Sequence, residues 1–189
     1  GHDWSDDTYI EEGIYFMKSD GSKPEQIAQE MGRRPGNLTW AEDGSGIYYT
    51  ASINGTSNLY FAPLSGKSRP VTKGNHMLRI TDIGKRGLAV GTLSSYKVPK
   101  NLVSFTIRNP LQIETIYVSN KTHLSEVKLG EVEEIWYKSV DNFNIQGWIV
   151  KPPDFTPSKK YPLILRIHGG PHAMYNVGFD FKNQNHAAN

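Results

Sequence analysis

Three similar apolar runs constrain this chain more than any other feature. Ile14-Tyr15-Phe16-Met17, Leu59-Tyr60-Phe61-Ala62 and Leu102-Val103-Ser104-Phe105 lie 45 and then 43 residues apart. A period of about 40–45 residues fits units of four short strands, the blades of a β-propeller. The middle unit shows the pattern best. Leu38-Thr39-Trp40 is a short strand, followed by a turn at Glu42-Asp43-Gly44, and Gly46 to Ala51 is the next strand. Asn54-Gly55-Thr56 turns the chain into Asn58 to Ala62, and Ser65-Gly66 turns it again before Arg69-Pro70-Val71-Thr72. Asp-Gly and Asn-Gly between alternating runs are strong hairpin signals, because those turns need positive φ.

The flanking units are less regular. In the first, Thr8 to Met17 reads as a strand that Asp20-Gly21 turns towards Glu25 to Ala28. In the third, His76 to Ile83, Gly87 to Leu93, Asn101 to Ile107 and Ile113 to Tyr117 are the expected strands, with a hairpin at Gly84-Lys85-Arg86-Gly87. The 18 glycines, 11 prolines and 11% aromatic content favour short strands and turns over long helices. Tyr48, Tyr49, Tyr60, Phe61 and Trp40 alternate in strands and are expected to pack between blades rather than to stack on bases.

After the third unit the pattern changes. Leu124 to Val132 reads as a connection. Glu133 to Ser139 and Asn144 to Val150 are two strands turned near Asp141-Asn142, and Lys151-Pro152-Pro153 ends the second, since proline cannot donate to a ladder. Pro162-Leu163-Ile164-Leu165-Arg166-Ile167 then reads as a buried strand that stops abruptly in His168-Gly169-Gly170-Pro171-His172. Two glycines without Cβ let a substrate approach the backbone closely. An exposed N–H there can donate to an oxygen that turns negative during acyl transfer. His-Gly-Gly loops after the third strand of α/β-hydrolases have this use. The tail from Phe179 to Asn189 has the look of a helix start.

Several classes drop out. The formal net charge is +2 with both signs scattered, so no basic stripe marks a nucleic-acid partner. Lys159-Lys160 and Arg33-Arg34 read as solvated loop charges. With no cysteine there is neither a disulfide framework nor a thiolate metal site, which fits a reducing cytoplasm. No apolar run approaches the roughly 20 residues of a membrane helix, and no signal pattern is visible, so neither a membrane partner nor secretion is expected. The Asn-x-Thr triplets at Asn37, Asn54 and Asn120 are therefore read as chance. His168 and His172 are four apart, but Gly-Gly-Pro between them forbids the helix that would bring them to one face. No metal or other cofactor is expected.

Two blocks carry a resemblance. Trp40-Ala41-Glu42-Asp43-Gly44 with Asn58-Leu59-Tyr60 is similar to the blade signatures of the prolyl oligopeptidase family of serine peptidases. Ile145-Gln146-Gly147-Trp148, then Tyr161-Pro162-Leu163-Ile164, then His168-Gly169-Gly170-Pro171-His172 resembles the start of the hydrolase domain in that family, most closely in its acylaminoacyl-peptidase branch. The resemblance implies a mainly β chain: a partial β-propeller of about three blade units at 1–127, then the first strands of an α/β-hydrolase domain at 128–189. It implies hydrolysis of short or N-acylated peptides through an acyl-enzyme, with Gly170 and Gly169 shaping the oxyanion hole and His168, Pro171 and His172 supporting the loop.

The departure from the family is large. No serine here has glycine both two before and two after it, so the catalytic Ser, Asp and His are expected beyond Asn189 and the chain alone is expected to be inactive. The expected partners are a peptide substrate and either a second copy of the chain or the remainder of the hydrolase domain, since three blades do not close a ring and open edges invite pairing. Two further readings stay open: a non-catalytic propeller-type binding module, and an esterase-like hydrolase, which leaves the blade repeat unexplained.

Overall fold

The computed structural model describes residues 12–29, 34–170 and 173–189. Short antiparallel strands dominate it. β1 (Ile14–Phe16) pairs with β2 (Glu25–Ile27). Next come β3 (Gly36–Trp40), β4 (Gly46–Ile53), β5 (Thr56–Pro63) and β6 (Arg69–Pro70), with β4, β5 and β6 each paired antiparallel with the strand before it. β7 (Met77–Ile83), β8 (Leu88–Ser95), β9 (Val98–Thr106) and β10 (Asn109–Tyr117) repeat that meander. These two four-stranded units are the second and third blades expected from the repeat. A single parallel bridge between Ser57 and Met77 joins them into one eight-stranded sheet.

The turns follow from their residues. Ile53 faces Thr56, so Asn54 and Gly55 form a two-residue hairpin loop, with φ of 47° and 73°. Both central residues of such a loop need positive φ, which asparagine tolerates and glycine adopts freely. At the preceding hairpin the Asp43 carboxylate accepts from the Ser45 N–H at 3.0 Å and the Ser45 hydroxyl at 2.6 Å. Those bonds hold the Asp43 carboxyl below its ordinary pKa. The expected turn at Gly84–Gly87 is present, with Arg86 and Gly87 both at positive φ.

Alternation in the strands sends residues to two cores. Ile47, Tyr49 and Ala51 of β4 join Ala62, Ile14, Ile27 and Ala28 between the first and second units. Leu59 faces Leu78, Ile80, Ala89, Val103 and Phe105 between the second and third. Each unit thus covers its neighbour, as propeller blades do. Several polar groups are paired at the inter-blade link. The Leu59 N–H donates to Thr72 Oγ1 at 2.9 Å, and the Thr72 hydroxyl donates to Asn58 Oδ1 at 3.2 Å. The Ser57 N–H donates to the His76 carbonyl at 2.8 Å.

Three expectations need correction. The first unit's strand covers only Ile14–Phe16 of Thr8–Met17, of which residues 8–11 lie outside the described ones. Trp40 is exposed rather than packed between blades, because β3 is an edge strand of the sheet. Third, Pro162–Ile167 forms no strand.

After β10 come α1 (Lys121–Ser125), then β11 (Val132–Lys138) and β12 (Asn144–Val150), which form an isolated hairpin, and finally α2 (Phe181–Ala188). This C-terminal part is clamped to two blade tips. The Trp148 ring lies on Gly55, where a Cβ would come within 2.6 Å of it. Gln146 Nε2 donates to the Asn54 carbonyl at 3.0 Å, and the N–H of fully buried Val177 donates to the Gly55 carbonyl at 2.9 Å. Lys97, in the β8–β9 turn, pairs with Glu131. Tyr96 in that turn is half-buried beside Trp148. Burial pushes its phenol up to about 12.

Candidate active site

The run Pro162–Ile167 was expected to be a buried strand. It is instead a segment with no ladder partner, with Leu163 88%, Leu165 78% and Ile167 80% exposed. The physical reason is pairing. A strand interior to a sheet needs a neighbour on each side, and among the described residues the β11–β12 hairpin forms a separate two-stranded sheet. The segment leads straight into His168, Gly169 and Gly170.

At Gly169 a Cβ would meet nothing within 4 Å, so the backbone there is open to an approaching molecule. Gly170 has a φ of 149°, a conformation that a residue with a Cβ adopts only under strain. The His168 ring turns back on the loop, with Nδ1 3.1 Å from the Gly169 carbonyl. Its ring also meets the edge of Tyr175, at a centroid distance of 5.8 Å and an angle of 73°. Pro171 and His172 lie outside the described residues.

The sequence reading missed the supports behind this loop. Arg166 interrupts the apolar run, with Nη1 3.4 Å from Asp180 Oδ2 and a further bond to Asn183 Oδ1. Asp180 caps α2, accepting from Lys182 N at 2.8 Å and Asn183 N at 3.2 Å. That cap was legible, since Asp before a helical stretch is a start signal. Gln184, one turn on, is buried and grips both polar groups of Gly130: Gly130 N donates to its Oε1 at 2.7 Å and its Nε2 donates to the Gly130 carbonyl at 3.3 Å. No local pattern marks Gln184, because its partner lies 54 residues away.

Among the described residues no group of three or more His, Asp or Glu side chains is placed to hold a metal, and no helix is long and apolar enough to cross a membrane. An open cleft of about 370 Å³ lies between the third blade and the C-terminal part, lined by Ser94, Pro99, Lys100, Ser119, Asn120 and Phe179.

Comparison with known proteins places this geometry. No family model matches the chain. It is 30% identical over 146 residues to dipeptidyl-peptidase 5 of Porphyromonas gingivalis, covering 77% of this chain and 21% of that protein. It superposes on the acylaminoacyl peptidase of Pyrococcus horikoshii with a TM-score of 0.73 and 23% identity, over 93% of this chain and 26% of that one. An acylaminoacyl peptidase in complex with Z-Gly-Gly-Phe-chloromethyl ketone matches with a TM-score of 0.74 and 23% identity, over the same shares. The chain therefore spans about a fifth to a quarter of the proteins it matches. The likeness gives the fold: a mainly β chain that superposes on part of peptidases built from a propeller and a hydrolase domain. These relatives, themselves peptidases, support the resemblance to the prolyl oligopeptidase family.

Proposed function

We propose that the protein containing this chain hydrolyses short or N-acylated peptides through an acyl-enzyme, and that Gly170, with Gly169, shapes its oxyanion hole. The observation that carries this reading is the open backbone at Gly169, followed by Gly170 at a φ of 149°, at the end of a segment without ladder partners. In the reaction a serine oxygen adds to the substrate carbonyl carbon and its proton passes to a general base. The carbonyl oxygen becomes an oxyanion, to which a loop N–H donates. Collapse expels the amine, which takes the proton, and water then releases the acyl group. The serine belongs to a Gly-x-Ser-x-Gly motif that these 189 residues do not contain. The propeller part at 1–127 restricts access to small, extended peptides, and the hydrolase part at 128–189 carries the loop. That boundary is supported by the irregular stretch between α1 and β11.

The test uses the full-length protein with acylaminoacyl and dipeptidyl anilides. Turnover is expected, blocked by a peptidyl chloromethyl ketone. Gly170→Val is expected to lower kcat on the order of 10²–10³ with little change in KM. Undiminished turnover in that variant overturns the assignment of Gly170. The 189-residue chain by itself is expected to give no turnover.

The exposed Leu163, Leu165 and Ile167 support a second part of the proposal, that this segment pairs with a further strand from the rest of the hydrolase domain or from a second copy. Prepared alone, the chain is expected to self-associate in light scattering, and a monodisperse monomer counts against that. The lack of cysteine supports a cytoplasmic setting, which cell fractionation checks.

A further inference from the structure

The side chains just behind the His168–Gly170 stretch form a connected cluster that the oxyanion reading does not use. Arg166 is the charge set in an otherwise apolar run. Its guanidinium reaches two acceptors on the first turn of α2, Asp180 Oδ2 and Asn183 Oδ1. The same group lies over the Tyr175 ring, with Cζ 5.7 Å from the centroid. Tyr175 also meets the His168 imidazole edge-on. One aromatic ring is thus shared by the residue two before His168 and by His168 itself. Behind them, α2 is fixed by the buried Gln184–Gly130 pair.

Stability does not account for this arrangement. The Arg166 and Asp180 side chains are 35% and 37% exposed, and ion pairs of that kind contribute little. Direction is what the cluster supplies. A planar guanidinium that binds two acceptors and stacks on a ring has one orientation, whereas a lysine ammonium does not. The glycines it adjoins have the most freedom to lose. An oxyanion donor works only when its direction is set before the charge appears.

We propose that Arg166, together with Tyr175 and Asp180, is a positioning clasp that sets the direction of the Gly170 N–H. The proposal rests on the oxyanion reading above. Arg166 touches no reacting atom and acts through the backbone from Ile167 to Gly170.

The experiment uses the full-length protein with two readouts, steady-state kinetics on a peptide anilide and hydrogen–deuterium exchange of residues 168–175. Arg166→Met is expected to lower kcat on the order of 10- to 100-fold, with KM within about twofold, because a small misplacement of a reacting group costs that much. The unfolding midpoint is expected to stay put, and exchange in 168–175 to speed up. Arg166→Lys is expected to restore part of kcat. Asp180→Asn, which keeps a good helix cap, gives a second and milder variant in case the first fails to fold. Tyr175→Phe is expected to behave as wild type, and Tyr175→Leu as Arg166→Met. An unchanged kcat, or a rise in KM alone, overturns the clasp. If the wild type turns over no peptide, the peptidase reading fails and exchange alone decides. Faster exchange in Arg166→Met then upholds the clasp, and unchanged exchange overturns it.

Discussion

The second blade and the segment at 162–168 both carry apolar, strand-like runs and meet opposite fates. Leu59 has no exposed surface, while Leu163 keeps 88% of its own. β5 is flanked by β4 and β6 in its blade and bridges to β7, so its backbone groups are paired and both its faces are covered. The 162–168 segment has a ladder on neither side. The difference teaches that an apolar run states a demand for burial, whereas meeting that demand depends on strands elsewhere. In the reading proposed above, those strands come from another part of the hydrolase domain or from a second copy.

The sharpest way to break this comparison is to truncate one leucine in each region. Leu59→Ala is expected to cost about 2–5 kcal/mol, as large-to-small changes in packed cores do. Leu163→Ala is expected to stay within about 0.5 kcal/mol, as exposed sites do. Denaturant unfolding of the 189-residue chain measures both. A large loss at Leu163 would mean that the segment is covered in solution, and concentration dependence of that loss would identify a second copy as the cover.

A smaller effect probes how the two regions are joined. Gly55→Ala places a Cβ within 2.6 Å of the Trp148 ring at a φ of 73°, so it is strained twice. It is expected to cost about 1–3 kcal/mol, the range of overpacking, and to shift Trp148 fluorescence. Gly169→Ala, where a Cβ meets nothing within 4 Å, is expected to leave stability unchanged. If Gly55→Ala destabilises without moving the Trp148 signal, the strain stays in the blade and the seam is not coupled to it.

The blades were legible because their signals are local. Asp43-Gly44 and Asn54-Gly55 fix turns, alternation fixes faces, and the repeat fixes register, so the strands of the second and third units fall within a few residues of their expected places. The C-terminal hairpin was legible for the same reason, through its alternation and Lys151-Pro152-Pro153. The candidate loop was legible as chemistry, since His168-Gly169-Gly170 is a contiguous word. Its supports were not. Gln184 with Gly130, Gln146 with Asn54 and Val177 with Gly55 join residues far apart in the chain, and no spacing rule announces them. Trp40 failed for a related reason, because alternation names a face but does not say whether the strand lies at an edge.

The smallest expected effect separates the regions by pH. His76 sits at the link between the second and third blades, half-buried, with Nε2 unpaired among the described residues. Burial holds its pKa below the ordinary 6.5. The folded state therefore favours the neutral ring. Above 6.5 this residue contributes its full share of stability, and that share is lost as pH falls through 6.5 towards the folded value, because the unfolded chain takes up the proton first. Asp20 and Asp43 do not confuse the window: their pKa values lie below the ordinary 3.8, so their contributions fade only in stronger acid. Unfolding midpoints between about pH 7.5 and 5.5 are thus expected to fall for the wild type and to flatten in His76→Asn. The pH dependence should follow probes in the blades and leave the exchange protection of residues 162–168, corrected for the intrinsic rate at each pH, unchanged. If both regions respond alike, the seam at Gly55 and Trp148 makes them one cooperative unit, and the contrast between them is one of burial alone.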